Sequence, residues 1–249
     1  MKNAISSGLR QALGIQCATS TFGILVLIFL GSSEMLICNL RQPELFPVGF
    51  VDTFFDKALS EDTVVSFLPV LAVLPFAGAY VEDLKCRFAQ IFLIRCGYME
   101  YSLSRIIAAF LLGGGTVTLG ALVAWAGAAL MFLPKQLAGE QDPELIARIS
   151  GKLLLLFCNG GLWSVVGIAM STLMESKYIA YASPFVVYYL LVILYEQYFP
   201  KAFLLYPPNW MDPELWPFGA WGASVFLLEL VLAFGILFIL RSGRRLREL

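Results

Sequence analysis

Apolar residues fall in six long runs, Cys17–Ile37, Val64–Val81, Ile106–Phe132, Leu153–Met174, Ala180–Tyr195 and Phe218–Leu240, with little polar sequence between them. Most hold about twenty apolar residues, the length at which a helix rising about 1.5 Å per residue crosses about 30 Å of hydrocarbon. The shortest, Ala180–Tyr195, still spans when its flanking residues snorkel. The pattern predicts an all-α, polytopic membrane protein with six transmembrane helices in a single domain over residues 1–249. Ahead of the first run, Asn3–Gln16 reads as a short interfacial helix. It does not read as a signal peptide, because no small-residue cleavage site follows a short apolar core and the apolar run continues to spanning length.

Basic residues give the array an orientation. With the N-terminus in the cytoplasm, the inner segments hold Lys2, Arg10, Lys85, Arg87, Arg95, Arg105, Lys177 and the arginines of the terminal run RSGRRLREL. The outer segments hold Arg41, Lys57, Lys135, Arg148, Lys152 and Lys201, together with acids such as Asp52, Asp56, Glu61, Glu140, Asp212 and Glu214. An inner excess of Lys and Arg is what the positive-inside rule requires, and the four arginines directly after the last run carry most weight. An even number of spans then places both termini in the cytoplasm.

The connecting sequence is concentrated in a few places. Glu82–Arg105, between spans two and three, is too long for a tight turn. Within it Leu84, Phe88, Ile91 and Phe92 recur at the spacing of one helical face, the acids Glu82 and Asp83 stand near the positive helix end, and Gly97 ends the pattern. Such a helix either rests on the inner leaflet or docks into a partner protein through its apolar stripe and flanking charges. On the opposite side, the proline-rich segment Phe199–Phe218 predicts a folded cap, with Tyr206, Trp210, Trp216 and Phe218 suited to the headgroup layer and room for a pair of short helices. In Asn39–Asp62 the residues Phe46, Phe50, Phe54 and Phe55 alternate with Asp52, Asp56 and Lys57, which predicts an interfacial helix. Pro134–Ser150 reads as a loop followed by a helical start at Pro143.

Composition agrees with the pattern: 59% of residues are hydrophobic and only 14% charged, and the mean hydropathy is +0.78. A soluble chain would carry about a quarter charged residues. The net charge of −1 and the lack of a basic aromatic patch point to no nucleic-acid partner. Histidine is absent, which removes intramembrane chemistry that needs imidazole as base or metal ligand. Cys17, Cys38, Cys86, Cys96 and Cys158 have no metal-ligand spacing and read as packing residues. No P-loop occurs, and the run Gly113–Gly115 lies inside an apolar span without the lysine that would reach a phosphate. Any ATP-driven activity therefore needs a motor on another subunit. Neither a cofactor nor a metal is implied, and the chain carries no catalytic constellation.

Ionisable groups inside spans are costly and are candidate sites. Glu229 stands near the middle of the last span, facing either a water-filled or substrate-facing cavity or a hydrogen bond on a neighbouring helix. Glu34 and Glu196 lie near span ends and snorkel, and Lys152 sits at the outer start of span four. Asn159, Gly160 and Gly161 interrupt span four, either for close helix packing or as a flexible point; packing is the preferred reading.

Taken together, these features resemble the ABC-2 type permeases, the membrane subunits of bacterial ATP-binding-cassette exporters. Two stretches carry the resemblance. The first, FLPVLAVLPFAGAYVEDLKCRFAQIFLIRCGYMEYSLSRIIAAFLLGGG, is similar to the segment in which a span ends in an acidic pair and a loop with spaced Arg, Tyr and basic residues re-enters the membrane; here these are Glu82, Asp83, Arg95, Tyr101 and Arg105. The second, GLWSVVGIAMSTLMESKYIAYASPFVVYYLLVILYEQYFPKAFLLYPPNW, looks like the span-four-to-cap region of small Firmicutes permeases. The architecture extends over nearly the whole chain, whereas the motifs are loose and point to no substrate.

The resemblance implies a pair of permeases, identical or related, in a bacterial plasma membrane, with two cytoplasmic ATPase subunits beneath. The segment with Glu82, Asp83, Arg87, Phe88, Ile91, Arg95, Tyr101 and Arg105 would be the coupling helix. A peptide, antibiotic or lipid would be exported, with Glu229 on its path. The alternative is a structural or assembly subunit without transport of its own. A membrane-embedded enzyme would need a cluster of reactive groups at one depth, and a secondary transporter would need paired charges and repeated halves; the sequence has neither.

Overall fold

Proline and glycine decide where the helices start and stop. The computed structural model describes residues 15–40, 46–86, 97–137, 143–174 and 176–246. Every described part of the six apolar runs is helical or lies in a short turn between helices, and among the described residues the only β-type pairing is an isolated bridge between Phe46 and Gln136. Residues 3–14 of the expected interfacial helix lie outside the described residues.

The first run divides at Ser32 into α1 (Ile15–Gly31) and α2 (Ser33–Leu40). After α3 (Phe50–Leu59), the second run also divides, into α4 (Asp62–Val73) and α5 (Ala79–Lys85), where the sequence pattern had predicted one continuous span. Pro75 has no N–H to continue the ladder, and the chain turns through residues 74–78 before α5 begins. Four longer helices follow: α6 (Tyr98–Phe132), α7 (Pro143–Met174), α8 (Lys177–Ile193) and α9 (Ala220–Leu246). Gly97, with φ of 74°, stands at the start of α6 in a conformation that favours glycine. Helix α8 ends in one π-helical turn, Leu194–Tyr198.

Among the described residues four helices are long and apolar enough to cross a membrane: Tyr98–Phe132, Pro143–Leu173, Lys177–Tyr198 and Ala220–Arg244. The protein is accordingly a membrane-embedded helical protein. The apolar helices of the first two runs, Cys17–Gly31 and Asp62–Val73, are shorter.

Helix α7 is the centre of the bundle, packed by α6, α8, α9 and α4, while α1 lies against α6 and α4. Close approaches fix the relative directions. Gly120 meets Ile24 and Gly127 meets Phe29, so α1 and α6 run the same way; Gly23 meets Leu71 and Gly31 meets Val64, so α4 runs against α1. Gly114 meets Phe157 and Gly161 meets Phe110, so α6 and α7 are antiparallel. A Cβ on Gly113 would lie 2.4 Å from that of Ser164 and 2.8 Å from the carbonyl oxygen of Gly160, so the two backbones touch at Gly113, Gly114, Gly160 and Gly161. The glycines of span four therefore serve packing.

One end of the bundle carries Lys85, Arg105, Lys177 and Arg241, and is called the basic end below. At the other, acidic end, α3 does not lie free on a surface. Phe54 and Phe55 are buried, and Phe46, Phe50 and Phe54 surround the ring of Phe132 at centroid distances of 5.5, 5.3 and 5.3 Å. The expected helix is there, but its phenylalanines face the bundle. The cap is folded by indole and amide donors to main-chain carbonyls: Trp210 Nε1 to Leu204 at 3.0 Å, Trp216 Nε1 to Asn209 at 2.8 Å and Asn209 Nδ2 to Phe203 at 3.4 Å. Instead of a pair of helices it contains the 3-10 turns Phe203–Leu205, Pro207–Met211 and Pro213–Leu215, because its closely spaced prolines leave no room for a full helical ladder. The packing reading of the cysteines holds for buried Cys158, whereas Cys38 and Cys86 are exposed.

Candidate functional site

A buried cluster of charged and polar groups sits at the basic end, on the two helices that flank residues 87–96. Glu82 and Asp83 are adjacent on α5, so the helical advance turns their side chains in different directions. Asp83 points inward and is 2% exposed. Its Oδ2 accepts from Tyr101 Oη at 2.8 Å and from Arg105 Nη2 at 2.5 Å. Tyr101 and Arg105 are four residues apart on α6 and share a face; they are 0% and 4% exposed. The Arg105 guanidinium also lies 5.5 Å from the ring centroids of Phe76 and Tyr101, in cation–π range. Burial pushes the Asp83 carboxyl above the ordinary aspartate range, while the Arg105 charge and the Tyr101 hydrogen bond pull it back.

Glu82 faces the other way. Its Oε1 is 2.5 Å from Nζ of Lys177, the first residue of α8, in a half-exposed pair. An ion pair so accessible to water contributes little stability, but it ties α8 to α5. The approach is close here, since a Cβ on Gly78 would lie 2.6 Å from Tyr181 Oη. Helix α9 joins the same end. The Tyr80 and Phe238 rings are 5.3 Å apart, Ser102 and Ser242 hydroxyls are 3.4 Å apart, and Tyr98 Oη lies against Gly243.

The acidic pair therefore holds helices together: Asp83 joins α5 to α6 and Glu82 joins α5 to α8. Among the residues expected to form a docking segment, the structure brings Asp83, Tyr101 and Arg105 into one buried contact and sets Glu82 on its rim. Arg87, Phe88, Ile91 and Arg95 lie outside the described residues. The sequence reading missed Lys177 as the partner of Glu82 and Phe76 as a wall of the Arg105 site. The only available signal for Lys177 was its position on the same side of the membrane as Glu82.

A second ion pair stands at the acidic end. Lys152 Nζ on α7 is 2.8 Å from Asp56 Oδ1 and donates to Ser60 Oγ at 2.6 Å and to the Asp56 carbonyl at 3.1 Å. This pins α3 to α7 beside a cavity of about 180 Å³ that Asp212 and Glu214 also line. Trp125 Nε1 donates to Asp52 Oδ1 at 3.0 Å and fixes the other end of α3. Glu34 and Glu196 are exposed, as expected near span ends. Glu229 is exposed on α9, and among the described residues no hydrogen bond or ion pair reaches its carboxylate. Among the described residues no group of three or more His, Cys, Asp or Glu side chains is placed to hold a metal ion.

No family model, no curated protein and no solved structure significantly matches this chain.

Proposed function

We propose that this chain is the permease subunit of an ABC-2 type exporter. Six spans place both termini in the cytoplasm, the basic end faces the cytoplasm, and separate ATPase subunits drive movement of a peptide, antibiotic or lipid. The observation that carries the reading is the buried contact of Asp83 with Tyr101 and Arg105. Residues 87–96 leave α5 just after Asp83 and return to α6 just before Tyr101. A force applied to that segment would reach both helices at once, because their ends are joined by an ion pair that water does not loosen. The alternating directions of α1, α4, α6 and α7 support this arrangement, and the arginines beyond the last helix support the orientation.

A second permease fits the least covered long helix. Only 17% of the apolar stretch of α8 is buried, against 78% for that of α7. That surface presents Phe185, Val186, Tyr189, Leu190 and Ile193, a broad aromatic and aliphatic face for a partner helix.

The test is co-purification of the full chain, expressed in its own cell, with an ATP-binding-cassette ATPase subunit. Phe88→Glu and Ile91→Glu should release the ATPase, and Asp83→Asn should retain it while lowering substrate-stimulated ATP hydrolysis. A chain that purifies with no ATPase, or unchanged binding and hydrolysis in all three variants, would overturn the proposal.

A further inference from the structure

Helices α8 and α9 both pack on α7, and between them, beneath the cap, lies a groove of about 270 Å³. Trp163, Val187, Leu191, Trp210, Phe226 and Leu230 form its walls. The Trp163 and Trp210 rings stack at 6.0 Å, and the Trp210 N–H is already spent on the Leu204 carbonyl, so that ring presents only its apolar surface. Glu229 is not itself part of the lining; it precedes Leu230 and follows Phe226 by three residues, so helical spacing sets it beside these two groove residues on the exposed surface of α9. It stands near the middle of the apolar part of the helix, exposed, with no bonding partner among the described residues.

A carboxylate at that depth is expensive unless a cation or a donor meets it. An acyl chain would fill the groove and leave the carboxylate unmet. We propose that the groove and Glu229 together form a binding site for hydrophobic cations. Aromatic or branched alkyl groups enter between α8 and α9, and the cationic centre rests against the Glu229 carboxylate with the Phe226 ring one turn away. The assignment deepens the export reading by naming a substrate class and rests on that reading for the word substrate. Binding itself needs no ATPase.

The test is equilibrium dialysis of the full chain in detergent, without nucleotide or ATPase, against tetraphenylphosphonium. Tetraphenylborate, of the same shape and opposite charge, serves as the control on the wild-type chain. Saturable binding of the cation that the anion does not displace is expected. Glu229→Gln should weaken it about tenfold or more, the loss of one charged contact. Leu230→Trp, which fills the groove and keeps the carboxylate, should abolish it in protein that still elutes as a single species. Absence of saturable binding would overturn the proposal, whether an acyl chain or a second copy of the chain fills the groove. Equal binding of both ions, or wild-type affinity in Glu229→Gln, would do the same. Because no ATPase is present, failure here leaves the coupling proposal standing, and failure of coupling leaves this site standing.

Discussion

The hydroxyl of Ser20 on α1 donates to the main-chain carbonyl of Leu71 on α4 at 2.6 Å. Four residues beyond Leu71 stands Pro75, which has no N–H to offer that carbonyl. Within hydrocarbon a bare carbonyl finds no water, so the donor comes from the neighbouring helix. The break that ends α4 is thus stabilised by a side chain fifty-one positions away. Ser20→Ala should lower stability by about 1–2 kcal/mol, and Ser20→Thr, which keeps the donor, should recover most of it. Thermal unfolding of the purified protein reads the difference, and equal midpoints for wild type and Ser20→Ala would show that Leu71 is satisfied otherwise.

The pair of Asp83 with Arg105 makes a sharper prediction. Asp83→Ala leaves a guanidinium buried without its counter-charge and should cost about 3–5 kcal/mol. Replacing both residues by Leu removes the uncompensated charge along with the pair, so the double variant should be more stable than either single one. Glu82→Gln, at a half-exposed pair, should shift the unfolding midpoint far less than Asp83→Ala. A double-mutant cycle with no coupling between positions 83 and 105 would contradict the geometry.

Glycines in one short run should differ strongly in tolerance. Gly113→Ala drives a methyl group into Ser164 and the Gly160 carbonyl, and overpacking of this kind costs about 1–3 kcal/mol. Nothing lies within 4 Å of a Cβ on Gly115, so Gly115→Ala should be neutral or should gain up to about 1 kcal/mol from helix propensity. Heat stability of the two variants in detergent decides the matter, and equal losses would mean that α6 and α7 do not touch through Gly113.

Topology is open to thiol labelling. After replacement of Cys17, Cys38, Cys86, Cys96 and Cys158, Glu214→Cys should react with an impermeant reagent on intact cells, and Arg244→Cys only after permeabilisation. Both positions are exposed, whereas a cysteine at Gly243 would collide with Tyr98. The reverse labelling pattern would invert the proposed orientation.

Much of the fold was legible in the pattern of residues. Helix α7 starts at Pro143 as read, and the cap is folded. Three features were not legible. The division of the second run needed Pro75 and Gly78 to be weighed above the hydropathy of their neighbours, since an apolar run reports burial in lipid and says nothing of ladder continuity. The inward turn of α3 needed Phe132, a residue distant in sequence, as the centre of the aromatic cluster. The opposed fates of Glu82 and Asp83 depended on which face of α5 meets α6, and adjacent acids look alike until the neighbouring helix is known.

By itself, then, the sequence determined that this is a helical protein for a bilayer, because long apolar runs can satisfy their backbone polar groups in lipid only by coiling into helices. Which helices touch, and through which faces, was decided by tertiary structure. In lipid one apolar side chain is much like another, so association turns on features that act only when two helices meet: the space left by Gly113 and Gly160, the carbonyl that Pro75 leaves bare for Ser20, and the burial that makes Asp83 and Arg105 require each other.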